Sequence, residues 1–172
     1  MKITIINTTK KLLDRTCFSN LHDVLVINTT VMNIKNCLGC FGCWHVTPGL
    51  CVQKDDMPKV LKAEINADLV VFITDVTAGF VSAEMKRIND KSIPLLSPFF
   101  ELVEGEIHHA KRYEKYPDYG LILINSNDIP NEVFSIIDDC YKRYAINFRS
   151  ELKFTMKDNL NLEGLKNEIN NY

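Results

Sequence analysis

The chain has 172 residues, 46% of them hydrophobic and 24% charged, and a formal net charge of −2 at pH 7. This balance is typical of a soluble globular protein, and the length suits a single domain spanning residues 1–172. The small net charge gives no electrostatic reason to expect nucleic acid or an anionic membrane as a partner. The longest apolar stretches, such as residues 68–74, are too short to cross a bilayer.

Short apolar runs alternate with amphipathic stretches along the chain. The apolar runs predict strands at residues 2–6, 24–28, 69–73, 120–125 and 147–155, the last at a sheet edge. Helical spacing and capping residues predict helices at residues 10–21, 58–65, 82–89, 132–144 and 162–169. Near-continuous apolar strands that alternate with helices indicate an α/β three-layer sandwich with a parallel sheet. Five strands favour the doubly wound order 2-1-3-4-5.

Three loops are therefore candidate binding segments. In open α/β sheets, ligands bind beyond the carboxyl ends of the strands at the point where the strand order reverses. That rule selects residues 7–16 after the first strand, 74–80 after the third and 125–129 after the fourth. A cysteine-rich stretch follows the second strand and is expected at the same edge.

Four of the six cysteines lie within fifteen residues, at Cys37, Cys40, Cys43 and Cys51. Four thiolates at such spacing suit an iron–sulfur cluster, and an all-cysteine set would also bind zinc. Alternatively, some are buried small residues or a redox-active pair. The sequence shows no export signal and the cysteines are clustered rather than spread, so a reducing, cytoplasmic compartment is expected.

The cysteine motif, with Asp55-Asp56-Met57 behind it, resembles that of iron–sulfur flavoproteins within the NAD(P)H-dependent FMN reductase family. Residues 74–90 are similar to the family's flavin-ring loop and the helix after it, and residues 93–100 and 108–117 resemble a subgroup. The resemblance implies a flavodoxin-like fold, with FMN at the switch-point loops and NAD(P)H as co-substrate. It also implies a homodimer or homotetramer. In cluster-bearing relatives, a 4Fe-4S cluster passes single electrons to or from the flavin.

The first loop departs from the family pattern, which usually reads Gly-Ser-Pro-Arg. Here residues 7–16 contain no glycine, so phosphate binding would rest on Thr8, Thr9 and Lys10 through hydroxyls, backbone amides and an ammonium. The alternative is a plain strand-to-helix turn with a threonine cap.

Small residues after the third strand would let a flat ring approach, and Phe80 could stack on it. The candidate ring-binding residues are Thr74, Val76, Thr77, Ala78, Gly79 and Phe80, joined by Asn125 and Ser126 after the fourth strand. The alternative is an ordinary loop that ends at Ser82, the cap of the next helix.

Five further residues are candidate substrate or interface contacts: Trp44, His108, His109, Arg112 and Tyr113. A histidine could donate to a substrate and Arg112 could bind an anionic group. Equally, aromatic and arginine side chains are enriched where subunits meet.

The sequence thus predicts an FMN-dependent NAD(P)H oxidoreductase, with or without a 4Fe-4S cluster, acting on a small-molecule or protein electron acceptor. Because flavin itself carries out hydride and one-electron chemistry, no catalytic side chain is assigned. Two alternatives remain: a family member with weak or no FMN binding that binds a partner or a metal, and a zinc-stabilised structural module.

Overall fold

The computed structural model describes residues 1–19, 21, 23–103, 105–124, 129–159 and 162–171. Its strands are β1 (Ile3–Asn7), β2 (Val24–Asn28), β3 (Leu69–Thr77), β4 (Phe80–Val81), β5 (Leu96–Val103), β6 (Glu106–Lys111), β7 (Asp118–Ile124) and β8 (Leu152–Asp158). Its helices are α1 (Gly42–His45), α2 (Met57–Ile65), α3 (Ala83–Lys91), α4 (Asn131–Asn147) and α5 (Glu163–Asn171). Within these described ranges, no helix has both the length and the apolar content needed to span a bilayer.

The central sheet has the predicted order. Strands β2, β1, β3, β7 and β8 lie side by side in parallel, and the short β4 pairs antiparallel with the end of β3. Residues 3–7 of β1 pair in register with residues 24–28 of β2 and 69–73 of β3. All of β1 and the first six residues of β3 are buried, which explains why these strands are apolar on both faces.

Helices cover the sheet on both sides, so the predicted flavodoxin-like sandwich is confirmed. On one face, Phe72 and Tyr119 of the sheet share a core cluster with residues from α2, α3 and α4. On the other face, Ile5 and Val71 pack in a cluster with Phe18 and residues of α5. Adjacent strand residues such as Val71 and Phe72 enter different clusters because side chains alternate across a strand.

The helix predicted at residues 10–21 is wrong. Among the described residues of this segment, the only helical element is a short 3₁₀ turn over Arg15–Phe18, capped by the side chain of Asp14. The amide of Asn28 binds both backbone groups of Leu13, accepting from its N–H at 2.9 Å and donating to its C=O at 2.8 Å. Asn7 Nδ2 also donates to the carbonyl of Lys11 at 2.8 Å. These side chains hold backbone groups that a helix would otherwise use, so residues 9–14 form bends and irregular backbone instead of a helix.

Two further differences lie after β4. Helix α4 continues to Asn147, so the fifth predicted strand begins at Leu152 rather than at residue 147. Strands β5 and β6 form a separate two-stranded hairpin that the sequence analysis did not predict as strands. The hairpin leaves four large apolar side chains exposed to solvent: Phe99, Phe100, Leu102 and Ile107.

Candidate functional site

Two adjoining cavities lie at the carboxyl edge of the sheet, where doubly wound folds bind ligands. Their volumes are about 450 Å³ and about 500 Å³. Lys10, Asp75 and Thr77 line both cavities. The first cavity continues over the loop after β2 and the start of α3, and the second continues toward the ends of β7 and β8. We call the pair the carboxyl-edge cavities.

A cluster of hydroxyl groups holds the base of the first cavity together. The Thr8 hydroxyl donates to the carbonyl of Ile73 at 3.0 Å, and the hydroxyls of Thr74 and Ser82 lie 3.0 Å apart. Ser82 Oγ also accepts from the backbone N–H of Met85 at 3.2 Å, which confirms it as the N-cap of α3. These contacts join the first loop, β3 and α3, so the three elements form one wall.

The three predicted phosphate ligands differ in their surroundings. Thr8 lines the first cavity and Thr9 the second, but both side chains are buried. The Thr9 hydroxyl donates to Asn7 Oδ1 at 2.8 Å, so both threonines direct their hydroxyl protons to acceptors within the protein. Lys10 is exposed and lines both cavities. Of these three side chains, Lys10 is therefore the best placed to bind an anionic ligand.

The segment predicted as a ring-binding loop is instead a tight hairpin. Strand β3 runs through Thr77, and β4 starts at Phe80, which pairs with Thr77. Ala78 and Gly79 form the turn with φ of 52° and 77°. A two-residue turn with positive φ at both positions matches the twist of the flanking strands, which is why it replaces the loop.

The hairpin brings part of the predicted ring-binding set to the cavities. Thr77 lines both of them and Val76 lines the second. Of the other described candidates, Thr74 is buried, Ala78 and Gly79 are exposed at the turn, and Phe80 is half-buried beside them. Asn125 and Ser126 lie outside the described residues.

Among the lining residues of the first cavity that the sequence analysis did not name individually, four carry polar side chains that are not buried: Thr30, Asp75, Glu84 and Arg87. Two of them are acidic and one is basic, so Lys10 and Arg87 face two carboxylates around one cavity. Arg87 Nε also donates to Asn36 Oδ1 at 2.8 Å and so connects α3 to the stretch before the cysteines. The position of Thr30, directly after β2, was available from the sheet rule, whereas the position of Arg87 depends on where α3 packs.

The predicted acidic pair, Asp55 and Asp56, joins the two ends of the cysteine segment, which we define as residues 33–57. Asp55 Oδ2 accepts from the backbone N–H of Lys35 at 3.0 Å and forms a buried ion pair with Lys91. Asp56 Oδ2 accepts from the backbone N–H of Asn33 at 2.9 Å. Burial alone would raise the pKa of Asp55, but its hydrogen bonds from Lys91, Lys35 and Met57 outweigh burial and lower it. The carboxylates therefore stay charged and tie together the two ends of the segment.

Of the four clustered thiols, those of Cys37, Cys40 and Cys51 lie near that of Cys43. Cys37 and Cys40 are exposed, while Cys43 and Cys51 are partly buried. Burial raises the pKa of the Cys43 thiol, and the neighbouring thiols of Cys51, Cys37 and Cys40 raise it further. In the described parts of the chain, no three His, Cys, Asp or Glu side chains lie close enough together to hold a metal ion as positioned. The thiols are thus neighbours, but not a closed ligand cage.

The predicted substrate or interface residues join the cysteine segment to the β5–β6 hairpin. The ring centroids of Trp44 and His109 are 5.0 Å apart. Trp44 Nε1 donates to the carbonyl of Leu96 at 3.1 Å, and Arg112 donates to the same carbonyl. Tyr113 packs edge-on against Tyr116 at 6.0 Å. Trp44, His109, Arg112 and Tyr113 are not among the described residues that line the carboxyl-edge cavities.

His108 has a different environment from its neighbour His109. It is buried, with Nδ1 3.0 Å from Asn147 Oδ1 and Nε2 3.1 Å from Glu106 Oε2. Glu106 in turn forms a 2.6 Å ion pair with Arg143. His108 therefore connects β6 to α4, so the two adjacent histidines do not act as a pair.

Comparison with known proteins supports the flavoprotein relationship. No protein-family model matches the chain. An iron–sulfur flavoprotein of Archaeoglobus fulgidus is 37% identical over 71 residues, which is 41% of this chain and 34% of the relative. The match thus spans about a third of the length of that curated relative.

Solved structures share the fold at low sequence identity. An azoreductase from Bacillus anthracis superposes with a TM-score of 0.62 at 10% identity, covering 98% of this chain and 92% of the other. An FMN-dependent NADH-azoreductase from the same species, in complex with FMN, has a TM-score of 0.56 at 14% identity, covering 98% and 93%. The flavodoxin-like fold is confirmed. The 37% identical segment agrees with the expected resemblance to iron–sulfur flavoproteins.

Proposed function

We propose that this relative of FMN reductases and iron–sulfur flavoproteins binds FMN in the carboxyl-edge cavities and acts as an NAD(P)H-dependent oxidoreductase. The observation that carries the proposal is the position of two adjoining cavities at the switch point of the sheet, with Lys10 between them. Their volumes lie in the range of small-molecule and cofactor sites, about 300–1,000 Å³. The FMN complex of the structurally similar azoreductase supports the choice of cofactor.

Within this site the side chains have distinct roles. The Lys10 ammonium would bind the phosphate, and Thr77 and Val76 would flank the flavin beside the hairpin turn. Flavin supplies hydride and one-electron chemistry when bound, and the protein orients it and tunes its potential. No side chain need act as an acid or base, so we assign no catalytic residue. The electron acceptor is a small molecule or a protein.

Reversing the charge of Lys10 tests the position of the phosphate. We expect Lys10→Glu to raise the Kd for FMN by about ten- to a hundredfold, because it removes one charge-assisted contact and adds repulsion. The matched control is Lys62→Glu, which changes net charge equally but lies in a cavity beyond the amino ends of β1 and β2. FMN fluorescence titration measures both. An unchanged Kd in Lys10→Glu, or an equal increase in both variants, would contradict this placement.

We further propose that Cys37, Cys40, Cys43 and Cys51 bind a 4Fe-4S cluster that exchanges single electrons with the flavin. The iron–sulfur flavoprotein match and the grouping of the other three thiols around Cys43 support this proposal. Thiolates are the ligands that such clusters require. Asp55 and Asp56 would hold the ends of the segment while the exposed thiols close on the cluster.

Metal analysis of anaerobically purified protein tests the cluster. We expect iron and acid-labile sulfide in the wild type, and loss of both in Cys43→Ala. Cys140→Ala is the control, because this exposed thiol lies on α4 outside the cysteine segment. Zinc in place of iron, or equal iron in wild type and Cys43→Ala, would show that these four thiols do not hold a cluster.

A homodimer or homotetramer also remains a proposal. The exposed apolar side chains of the β5–β6 hairpin support it, because large exposed apolar patches mark interaction surfaces. The cytoplasmic location expected from the cysteine usage stays a prediction.

A further inference from the structure

Another cavity, of about 430 Å³, lies at the amino edge of the sheet, between the starts of β1 and β2 and helix α2. Among the described residues, none lines both this cavity and the carboxyl-edge cavities at the other end of the strands. Its volume is in the range of small-molecule sites. We call it the amino-edge cavity.

The wall of the amino-edge cavity includes apolar surface that the fold leaves uncovered. Leu25 lines the cavity from β2 and stays 50% exposed. Ile3 and Ala63 also line it, from β1 and α2. Because apolar surface gains free energy when it leaves water, the apolar body of a ligand would be stabilised against Leu25.

Two lysines that line this cavity have no charged partner. Lys2 and Lys62 are both exposed, so a ligand can reach them. Asp68 accepts from the backbone N–H of Lys2 at 2.8 Å and forms a 2.6 Å ion pair with Lys115. Within the described parts of the chain, the ammonium groups of Lys2 and Lys62 form no ion pair.

Two backbone acceptors of α2 at this cavity are already occupied. Asn66 Nδ2 donates to the carbonyl of Lys62 at 2.7 Å, and Thr4 Oγ1 donates to the carbonyl of Ala63 at 3.1 Å. These carbonyls therefore do not compete for the lysine ammonium groups, which remain available to an acceptor on a ligand.

The charges around the cavity favour a ligand with a single negative charge. Lys59 also lines the cavity, but a 2.7 Å ion pair with Asp56 balances its charge. Asp23 is the one carboxylate among the described lining residues. It offsets one of the two unpaired ammonium groups of Lys2 and Lys62, so one surplus positive charge remains. A monoanion neutralises that charge, whereas a dianion or a cation does not.

We propose that the amino-edge cavity binds an amphipathic monocarboxylate, with its carboxylate at Lys2 and Lys62 and its apolar body against Leu25. Charge-assisted hydrogen bonds from the two ammonium groups stabilise the carboxylate. Because the cavity shares no described lining residue with the carboxyl-edge cavities, this ligand and FMN can bind at the same time.

Titration with 2-naphthoate and with its neutral amide, 2-naphthamide, tests the proposal directly. The two probes have the same two-ring body, but only 2-naphthoate carries a charge. We expect saturable binding of 2-naphthoate by calorimetry, with a Kd about tenfold below that of 2-naphthamide at low salt. The difference should shrink at about 1 M salt, because exposed charges are then screened.

Variants of three lining residues show whether binding occurs in this cavity. Lys62→Met should weaken 2-naphthoate about three- to fivefold and leave 2-naphthamide unchanged, because it removes the charge but keeps an apolar stem. Asp23→Asn should tighten 2-naphthoate about threefold, since it removes a repelling carboxylate, and asparagine tolerates the φ of 53° at this position. Leu25→Ser should weaken both probes, because it removes apolar contact.

Two lysine variants outside the cavity serve as controls. Lys111→Met, at an exposed position on β6, and Lys10→Met, at the carboxyl-edge cavities, should both bind the probes as wild type does. Circular dichroism confirms that each variant is folded. Absence of saturable 2-naphthoate binding, equal affinity for the two probes, an unchanged preference in folded Lys62→Met, or an equal loss in Lys10→Met would overturn the proposal.

Discussion

Lys91→Met is expected to lower the free energy of unfolding by about 3–5 kcal/mol, the cost of leaving one partner of a buried ion pair alone. The side chains of Lys91 and Asp55 are 1% and 0% exposed, so water cannot replace the lost ammonium. Asp55 would keep its bonds from the backbone N–H groups of Lys35 and Met57, but the remaining charge would be uncompensated. Urea denaturation measures the loss.

The same helix offers a matched control. Lys86 pairs with Asp90 on α3, but these side chains are 55% and 44% exposed. Lys86→Met should therefore change stability by only about 0.5 kcal/mol, as is usual for surface ion pairs. The double variant Asp55→Asn/Lys91→Met should recover much of the loss, because it removes both charges. Similar losses in Lys91→Met and Lys86→Met would contradict the role of this pair in holding the cysteine segment.

Stability is expected to fall by about 3 kcal/mol as pH rises from about 4.5 to about 7, because of Glu64. Burial raises the pKa of Glu64 from 4.5 to about 7, although hydrogen bonds from Tyr119, Ser92 and Tyr144 oppose the shift. Below pH 4.5 the carboxyl is protonated in both the folded and unfolded states, so its full contribution is present. Above that pH the unfolded state ionises first, and the contribution is lost as pH passes the folded pKa.

Replacing this carboxyl by an amide isolates the effect. Glu64→Gln keeps an oxygen that can accept from Tyr119 and Tyr144 but cannot ionise, so its stability should vary far less across this pH window. Glu132→Gln, at an exposed position in the first turn of α4, should retain the wild-type pH dependence. Denaturation curves at several pH values test both variants. An equally steep decline in Glu64→Gln would assign the pH dependence to other groups.

The sheet was predictable from sequence, but the segments around it were less so. Strands such as β1 and β3 are buried on both faces, and this burial makes their apolar runs continuous and easy to locate. The helix expected at residues 10–21 failed because Asn7 and Asn28, distant in sequence from each other, bind its backbone. No local pattern reports such a contact. The β5–β6 hairpin escaped prediction because Pro98 interrupts its first strand, and a proline within an apolar run argues against a strand.

The sheet edge that carries the candidate site was predicted from the sequence. Only some of the residues that line its cavities were predicted. The rule for parallel sheets selected the loops that contain Lys10 and Thr77, and both residues line the carboxyl-edge cavities. The rule could not show that the hydroxyls of Thr8 and Thr9 bond within the protein, since that depends on neighbouring strands. Arg87 enters the site from α3, where its sequence context is that of an ordinary amphipathic helix.

The most direct test of the account is the absorption spectrum of the purified protein after reconstitution with FMN and removal of free flavin, followed by NADPH and then NADH. We predict retained flavin bands at about 375 and 450 nm, as expected for a bound flavin cofactor, that bleach when one of the nucleotides is added. That result would establish a flavin site that accepts electrons from a nicotinamide. A spectrum without flavin bands, or bands that neither nucleotide bleaches, would contradict the proposed function.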